Sequence, residues 1–182
     1  MGLDEAVEPL RDKKIILVGM RGSGKTTIAR LLSERTERKY IDTDDVIIER
    51  EGMPIPDIIR KNGIEYFRDK ESEVLRELSG RPGIVLATGG GVIVRPENAE
   101  FLRKNSICIW LQASIADLVA RTGNDPNRLP LTDKATPEEE IREVYRQRMP
   151  LYDSLANATV QTEGKTAQEV ADEILQKLKL SR

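Results

Sequence analysis

Gly19-Met20-Arg21-Gly22-Ser23-Gly24-Lys25-Thr26 decides how this chain folds. The stretch fits the pattern G-x-x-x-x-G-K-(S/T), and its flanks are those the pattern requires. Ile15-Ile16-Leu17-Val18 precedes it as a short apolar run, while Ile28, Leu31 and Leu32 follow at helical spacing. Strand, glycine loop, lysine, hydroxyl and helix together read as a phosphate-binding loop. The glycines let successive backbone N–H groups converge on one anion, and the helix N-terminus adds the positive end of its dipole. Gly22, Ser23, Gly24, Lys25, Thr26 and Thr27 are the expected ATP-binding residues. Lys25 is expected to reach the β- and γ-phosphates, and the Thr26 hydroxyl to ligate Mg²⁺.

Outward from this loop, composition excludes more than it assigns. Lys and Arg number 29 against 31 Asp and Glu, so the net charge of −2 gives no sign of a nucleic-acid or membrane surface. One cysteine and no histidine exclude a His/Cys zinc site, a Ser–His pair and a Cys–His pair. Cys108 lies in the apolar run Ile107 to Leu111 and reads as a small buried hydrophobe. Chemistry here must use carboxylates, Lys, Arg, backbone amides and a bound metal. Met1 to Asp12 is acidic and lacks the apolar core of a signal peptide, and no run approaches a membrane span. A cytoplasmic location is the expectation.

The chain alternates strand and helix to its end. Lys39 to Asp42 reads as a second strand, with a helix following that Asp44 or Asp45 caps. Pro54 and Pro56 precede a short helix near Asp57 to Lys61, Gly63 ends it, and a longer helix covers roughly Ile64 to Leu78. Ile84 to Thr88 is a buried strand running into Gly89-Gly90-Gly91, and Pro96 to Lys104 a helix. Ser106 to Leu111 is a fourth strand, after which Ser114 and Asp117 start a helix. About 123–135 reads as a mobile surface loop. Thr136-Pro137-Glu138-Glu139 announces a helix that Pro150 should kink or end. Ala158 to Gln161 and a helix capped by Thr166 and Glu169 complete the pattern. The fold class is α/β: a three-layer α/β/α sandwich with a central five-stranded parallel sheet. Residues 1–182 are expected to form one domain, with a polar tail over about 1–12.

Ligands of such sheets bind beyond the carboxyl ends of the strands, so the residues there matter most. Asp42 and Asp44 are two apart and should project to one side. One carboxylate beside a phosphate loop can hold Mg²⁺, and a second can orient a hydroxyl or take its proton; both could instead merely cap the next helix. Gly89-Gly90-Gly91 is a plain turn or a place where a ligand meets bare backbone. Arg68, Arg121, Arg128 and Arg148 do not stand out from other helix and loop arginines on spacing alone.

The order of these motifs resembles that of shikimate kinases, a family of P-loop kinase type. GMRGSGKTT is similar to that family's phosphate loop, and Asp42-Thr43-Asp44 to its Asp-Ser-Asp or Asp-Thr-Asp. Glu65-Tyr66-Phe67-Arg68 resembles its Phe-Arg segment, and Thr88-Gly89-Gly90-Gly91 its glycine triplet. Arg121-Thr122-Gly123 through Arg128 resembles the start of its lid, and Arg148-Met149-Pro150-Leu151-Tyr152 its Arg-x-Pro-Leu-Tyr. The resemblance implies ATP-dependent phosphorylation of the 3-hydroxyl of shikimate; a monomer is the expectation, with no nucleic-acid or membrane partner. It implies that Arg68, Arg148 and the backbone at Gly90 and Gly91 hold the carboxylate. Asp44 would bind the hydroxyls and steer one, while Asp42 and Thr26 hold Mg²⁺. Arg121 would lie against the adenine, and Arg128 close over the phosphates, so that Lys25, Asp44 and Arg128 form the catalytic set. One place departs: Arg128-Leu129-Pro130-Leu131 stands where the family commonly reads Arg-Pro-Leu-Leu, which moves the residue that proline forces extended. A gluconate kinase and a nucleotide-binding module without kinase activity are the alternatives.

Overall fold

The five apolar runs become the five strands of one parallel sheet. In a computed structural model, which describes residues 12–123 and 129–180, these are β1 (Lys14–Val18), β2 (Lys39–Asp42), β3 (Ile84–Ala87), β4 (Ser106–Gln112) and β5 (Ala158–Gln161). Their order across the sheet is β2-β3-β1-β4-β5, with every neighbouring pair parallel. β1 pairs with β3 and β4, so the loop that follows it opens at the centre of the sheet's carboxyl edge.

Eight helices accompany the strands among the described residues: α1 (Lys25–Thr36), α2 (Thr43–Glu51), α3 (Ile55–Asn62), α4 (Ile64–Leu78), α5 (Pro96–Arg103), α6 (Ile115–Thr122), α7 (Pro137–Leu155) and α8 (Ala167–Leu180). Successive β1 side chains point to opposite faces. Ile15 and Leu17 join a core with Ile28 and Leu32 of α1 and Ile174 of α8. Ile16 and Val18 join another with Phe67 and Val74 of α4, Leu102 of α5 and Val144 of α7. A sheet covered on both faces needs strands apolar on both faces, which is why the strands read as continuous runs. Cys108 is fully buried, and its thiol is pushed up to about 11 by desolvation. Lys14, also buried, donates to Ser79 O at 2.9 Å and Lys104 O at 2.6 Å, tying the ends of α4 and α5 to β1.

Most element ends lie within a residue or two of the sequence reading, and two of the differences have a clear physical cause. The cap of α2 is Asp42, not Asp44 or Asp45; its Oδ1 accepts from Asp44 N at 3.0 Å, so α2 starts directly at Thr43. Helix α7 opens on the expected capping box of Thr136 and Glu139, but it continues through Pro150 to Leu155. The missing N–H at Pro150 costs a helical bond. Beyond it, Tyr152 and Leu155 are 0% and 4% exposed, and their burial keeps the last turn against the core. Among the described residues no helix is long and apolar enough to cross a membrane.

Candidate active site

The phosphate loop takes its shape from glycine. Gly22 and Gly24 hold φ of 83° and 92°, conformations a side chain disfavours, and Gly24 caps α1. Lys25, 8% exposed, donates to Gly19 O at 2.9 Å and Met20 O at 2.8 Å, curling its ammonium back over the loop. Desolvation brings this lysine down to about 8, against the pull of Asp44 and Asp42, which favour its charged form. Thr26 Oγ1 donates to Asp42 Oδ2 at 2.9 Å, so the hydroxyl at the start of α1 and the carboxylate at the end of β2 adjoin.

Asp44 is the second residue of α2, in its first turn, with its Oδ1 buried and unpaired. Burial first, then Asp42 and Glu71, raises its carboxyl to about 7. The sequence reading missed Glu71. It is 1% exposed on α4, ion-paired with Arg68 three residues earlier, and its Oε1 is likewise buried without a partner. Burial raises the Glu71 carboxyl, with Arg68 opposing. Both unpaired oxygens face the glycine triplet: a Cβ at Gly89 would stand 2.6 Å from Glu71 Oε1 and 2.8 Å from Asp44 Oδ1. A Cβ at Gly91 would fall on the Arg68 guanidinium. Bare backbone at the triplet therefore gives Arg68 and the two carboxylates their room. The i, i+3 pairing of an arginine and a glutamate on one helix was the available signal for Glu71, but such pairs are common on solvated faces.

Across the triplet, Arg148 of α7 donates to Gly90 O at 3.1 Å. Tyr152, one turn on and fully buried, donates to the same oxygen at 2.5 Å. Thr43 accepts from Gly89 N at 3.0 Å, which fastens the triplet to α2. Desolvation lowers Arg148, although a guanidinium keeps its charge throughout the working pH range.

One cleft of about 630 Å³ joins these parts. Gly22, Gly24, Lys25, Thr26 and Thr27 line its glycine-loop side, Asp42 and Asp44 its floor, and Arg68, Gly90, Gly91 and Arg148 its far side. Ile48, Ile55, Ile59, Ile64 and Phe67 form an apolar wall that the motifs did not reveal. Leu129 and Leu131 also line it, and Leu131 N donates to Glu140 Oε2 at 3.1 Å. Two expected residues stand outside the lining: Ser23 is buried beneath the loop, and the exposed Arg121 donates to Gly22 O at 3.1 Å and pairs with Asp117. Arg128 lies outside the described residues.

Among the described residues no group of three or more acidic, histidine or cysteine side chains is gathered for a metal. The adjoining Thr26 hydroxyl and Asp42 carboxylate nevertheless suit Mg²⁺, a hard cation that takes few protein oxygens and completes its shell with phosphates and water.

Known proteins are similar to this chain in sequence and fold. The family model for shikimate kinase matches residues 21–179. A shikimate kinase from Nitrosospira multiformis is 40% identical over 177 residues, covering 97% of this chain and 90% of its own. A solved shikimate kinase from Acinetobacter baumannii, in complex with shikimate, superposes with a TM-score of 0.88 at 38% identity, covering 95% of this chain and 96% of that one. A gluconokinase from Sinorhizobium meliloti, at 16% identity and a TM-score of 0.54 over 92% of both chains, shares the fold alone. Matched by that family model over most of its length and 40% identical to a relative across 97% of it, the chain belongs to the shikimate kinase family.

Proposed function

We propose that residues 1–182 form one kinase domain that transfers the γ-phosphoryl group of ATP to the 3-hydroxyl of shikimate, giving ADP and shikimate 3-phosphate for aromatic amino acid formation through chorismate. The observation that carries this reading is the meeting of Arg68, from α4, and Arg148, from α7, on either side of Gly90-Gly91 in the cleft that contains Lys25. Two guanidinium groups suit a planar carboxylate, which they can bind bidentately. The flat apolar wall of Ile55, Ile59 and Phe67 suits the carbon face of a ring.

In this reading each charged group has one task. Lys25 binds the β- and γ-phosphates and stabilises the charge that spreads over the transferred group. Arg68, Arg148 and the Gly90 and Gly91 backbone hold the acceptor's carboxylate, which leaves its hydroxyls toward Asp44. With its carboxyl raised to about 7, Asp44 is partly ionised at neutral pH and can accept the hydroxyl's hydrogen bond and proton. Thr26 and Asp42 hold Mg²⁺, which neutralises phosphate charge when bound. Thr27 and the Gly22-Ser23-Gly24 backbone cradle the phosphates, Arg121 lies toward the base, and Arg128 closes over the phosphates from a lid. All partners are small molecules, ATP and shikimate. The chain works as a cytoplasmic monomer in this reading, and its near-neutral charge balance gives no sign of a nucleic-acid or membrane surface.

A coupled assay of ADP release, run with shikimate, with gluconate and with no acceptor, tests this directly. ADP release that depends on shikimate alone is the expected result. Release that depends on gluconate, or on neither, would refute the acceptor.

A further inference from the structure

Tyr152 is the one residue of the Arg148-Met149-Pro150-Leu151-Tyr152 motif that is fully buried yet has its polar atom on the binding backbone. Its ring is stacked on Trp110 of β4, with centroids 5.7 Å apart and planes inclined by 24°. Its hydroxyl reaches past the core to Gly90 O, where Arg148 Nη1 also donates. A carbonyl oxygen has two lone pairs, and here each has a donor from the same face of α7. The phenol is held far above its ordinary range, chiefly by desolvation, so it stays protonated and a donor.

The peptide that follows is fixed by this pair. No described peptide bond is cis, so within the planar Gly90–Gly91 unit the N–H of Gly91 points opposite to the Gly90 carbonyl. Glycine on both sides offers the backbone the widest choice of rotation, and no side chain restricts it. The two donors from α7 hold the Gly90 carbonyl, while Val94 N–H donates to Gly91 O at 3.0 Å, and together they restrict that freedom. On the other side of the unit, Arg68 occupies the space a Gly91 side chain would fill.

We propose that Tyr152 is a positioning residue: by donating to Gly90 O it sets the plane of the Gly90–Gly91 peptide and the reach of Arg148, so that both meet the acceptor's carboxylate together. Its continuation through Pro150 gives α7 a purpose, since a helix ending there would leave this donor off the site. This inference rests on the acceptor assignment above.

The test compares wild type, Tyr152→Phe, Tyr152→4-aminophenylalanine and Leu155→Ala. The second keeps the stacked ring and removes the hydroxyl; the third restores a donor at the same place. Leu155, 4% exposed on the same helix turn, serves as a destabilised control without a polar contact to the triplet. Tyr152→Phe is expected to raise the KM for shikimate about tenfold, the size of one hydrogen bond, while KM for ATP and kcat stay within about twofold. The amino analogue should recover most of the loss, and Leu155→Ala should lower Tm without moving either KM. An unchanged shikimate KM in Tyr152→Phe, an equal rise in both KM values, or the same rise in Leu155→Ala would overturn the positioning role alone. A wild type whose ADP release ignores shikimate would overturn the acceptor assignment, and this inference with it.

Discussion

Thr26 Oγ1 and Asp42 Oδ2 are hydrogen-bonded at 2.9 Å, joining the phosphate-loop helix to the end of β2. Asp42 does two jobs with two oxygens, since Oδ1 caps α2 through Asp44 N. The jobs separate by mutation. Asn is among the best N-caps, so Asp42→Asn should melt within about 2 °C of wild type. It should raise the Mg²⁺ concentration for half-maximal activity at least about tenfold, because a neutral amide is a weaker ligand. Asp42→Ala should show the same Mg²⁺ defect and lose a further ~1 kcal/mol of stability. Mg²⁺ titrations and thermal melts of both variants check this; an unchanged Mg²⁺ requirement would remove Asp42 from the metal site.

Lys25→Met should reduce kcat at least about a thousandfold, with the fold retained, because the phosphates lose their fixed cation. The pH dependence follows from its depressed value of about 8. Since only the charged form serves, kcat/KM for ATP should fall as pH rises through about 8. Bound phosphates favour the ammonium, so the corresponding limb of kcat should lie at higher pH. Coincident limbs would argue that Lys25 does not touch the nucleotide.

Asp44 carries a cost in stability that its proposed role would explain. Burial, then Asp42 and Glu71, raises its carboxyl to about 7 in the fold, against 3.8 for an ordinary aspartate. Between those values the folded state keeps a proton that the unfolded chain has lost, so this group's contribution to stability declines as pH rises through that window. Asp44→Asn has no charge to bury. In ligand-free protein with EDTA it should melt several degrees above wild type at pH 8, about 2–4 °C for each kcal/mol, with the gap closing toward pH 4. It should also lose about a hundredfold in kcat. Melts at several pH values decide; a gap independent of pH would mean that the Asp44 charge is not strained by its surroundings.

The fold was legible in the sequence because a sheet covered on both faces demands uninterrupted apolar strands, as at Ile84–Ala87 and Ser106–Gln112. Helix starts with local chemistry were legible too, as at Thr136 and Ser114. Where distant packing decides, local rules failed. Pro150 did not end α7, because Tyr152 and Leu155 are buried beyond it. The charged groups of the site were visible as motifs, but their partners were not. Glu71 looks like one more helical glutamate until α4 turns it toward Gly89 and Arg68. Tyr152 looks like a core aromatic until its hydroxyl meets Gly90 O. Both acquire their roles from elements far apart in the chain.

If Arg68 and Arg148 recognise a carboxylate, kcat/KM for shikimate against its methyl ester, in wild type and in Arg148→Ala, reads that recognition out most directly. Wild type should prefer the acid at least about a hundredfold, a preference that one charge-assisted bidentate contact can supply. Arg148→Ala should lose most of that preference while its KM for ATP stays within about twofold. Equal use of acid and ester by the wild type, or an undiminished preference in Arg148→Ala, would show that the two arginines do not hold the acceptor's carboxylate.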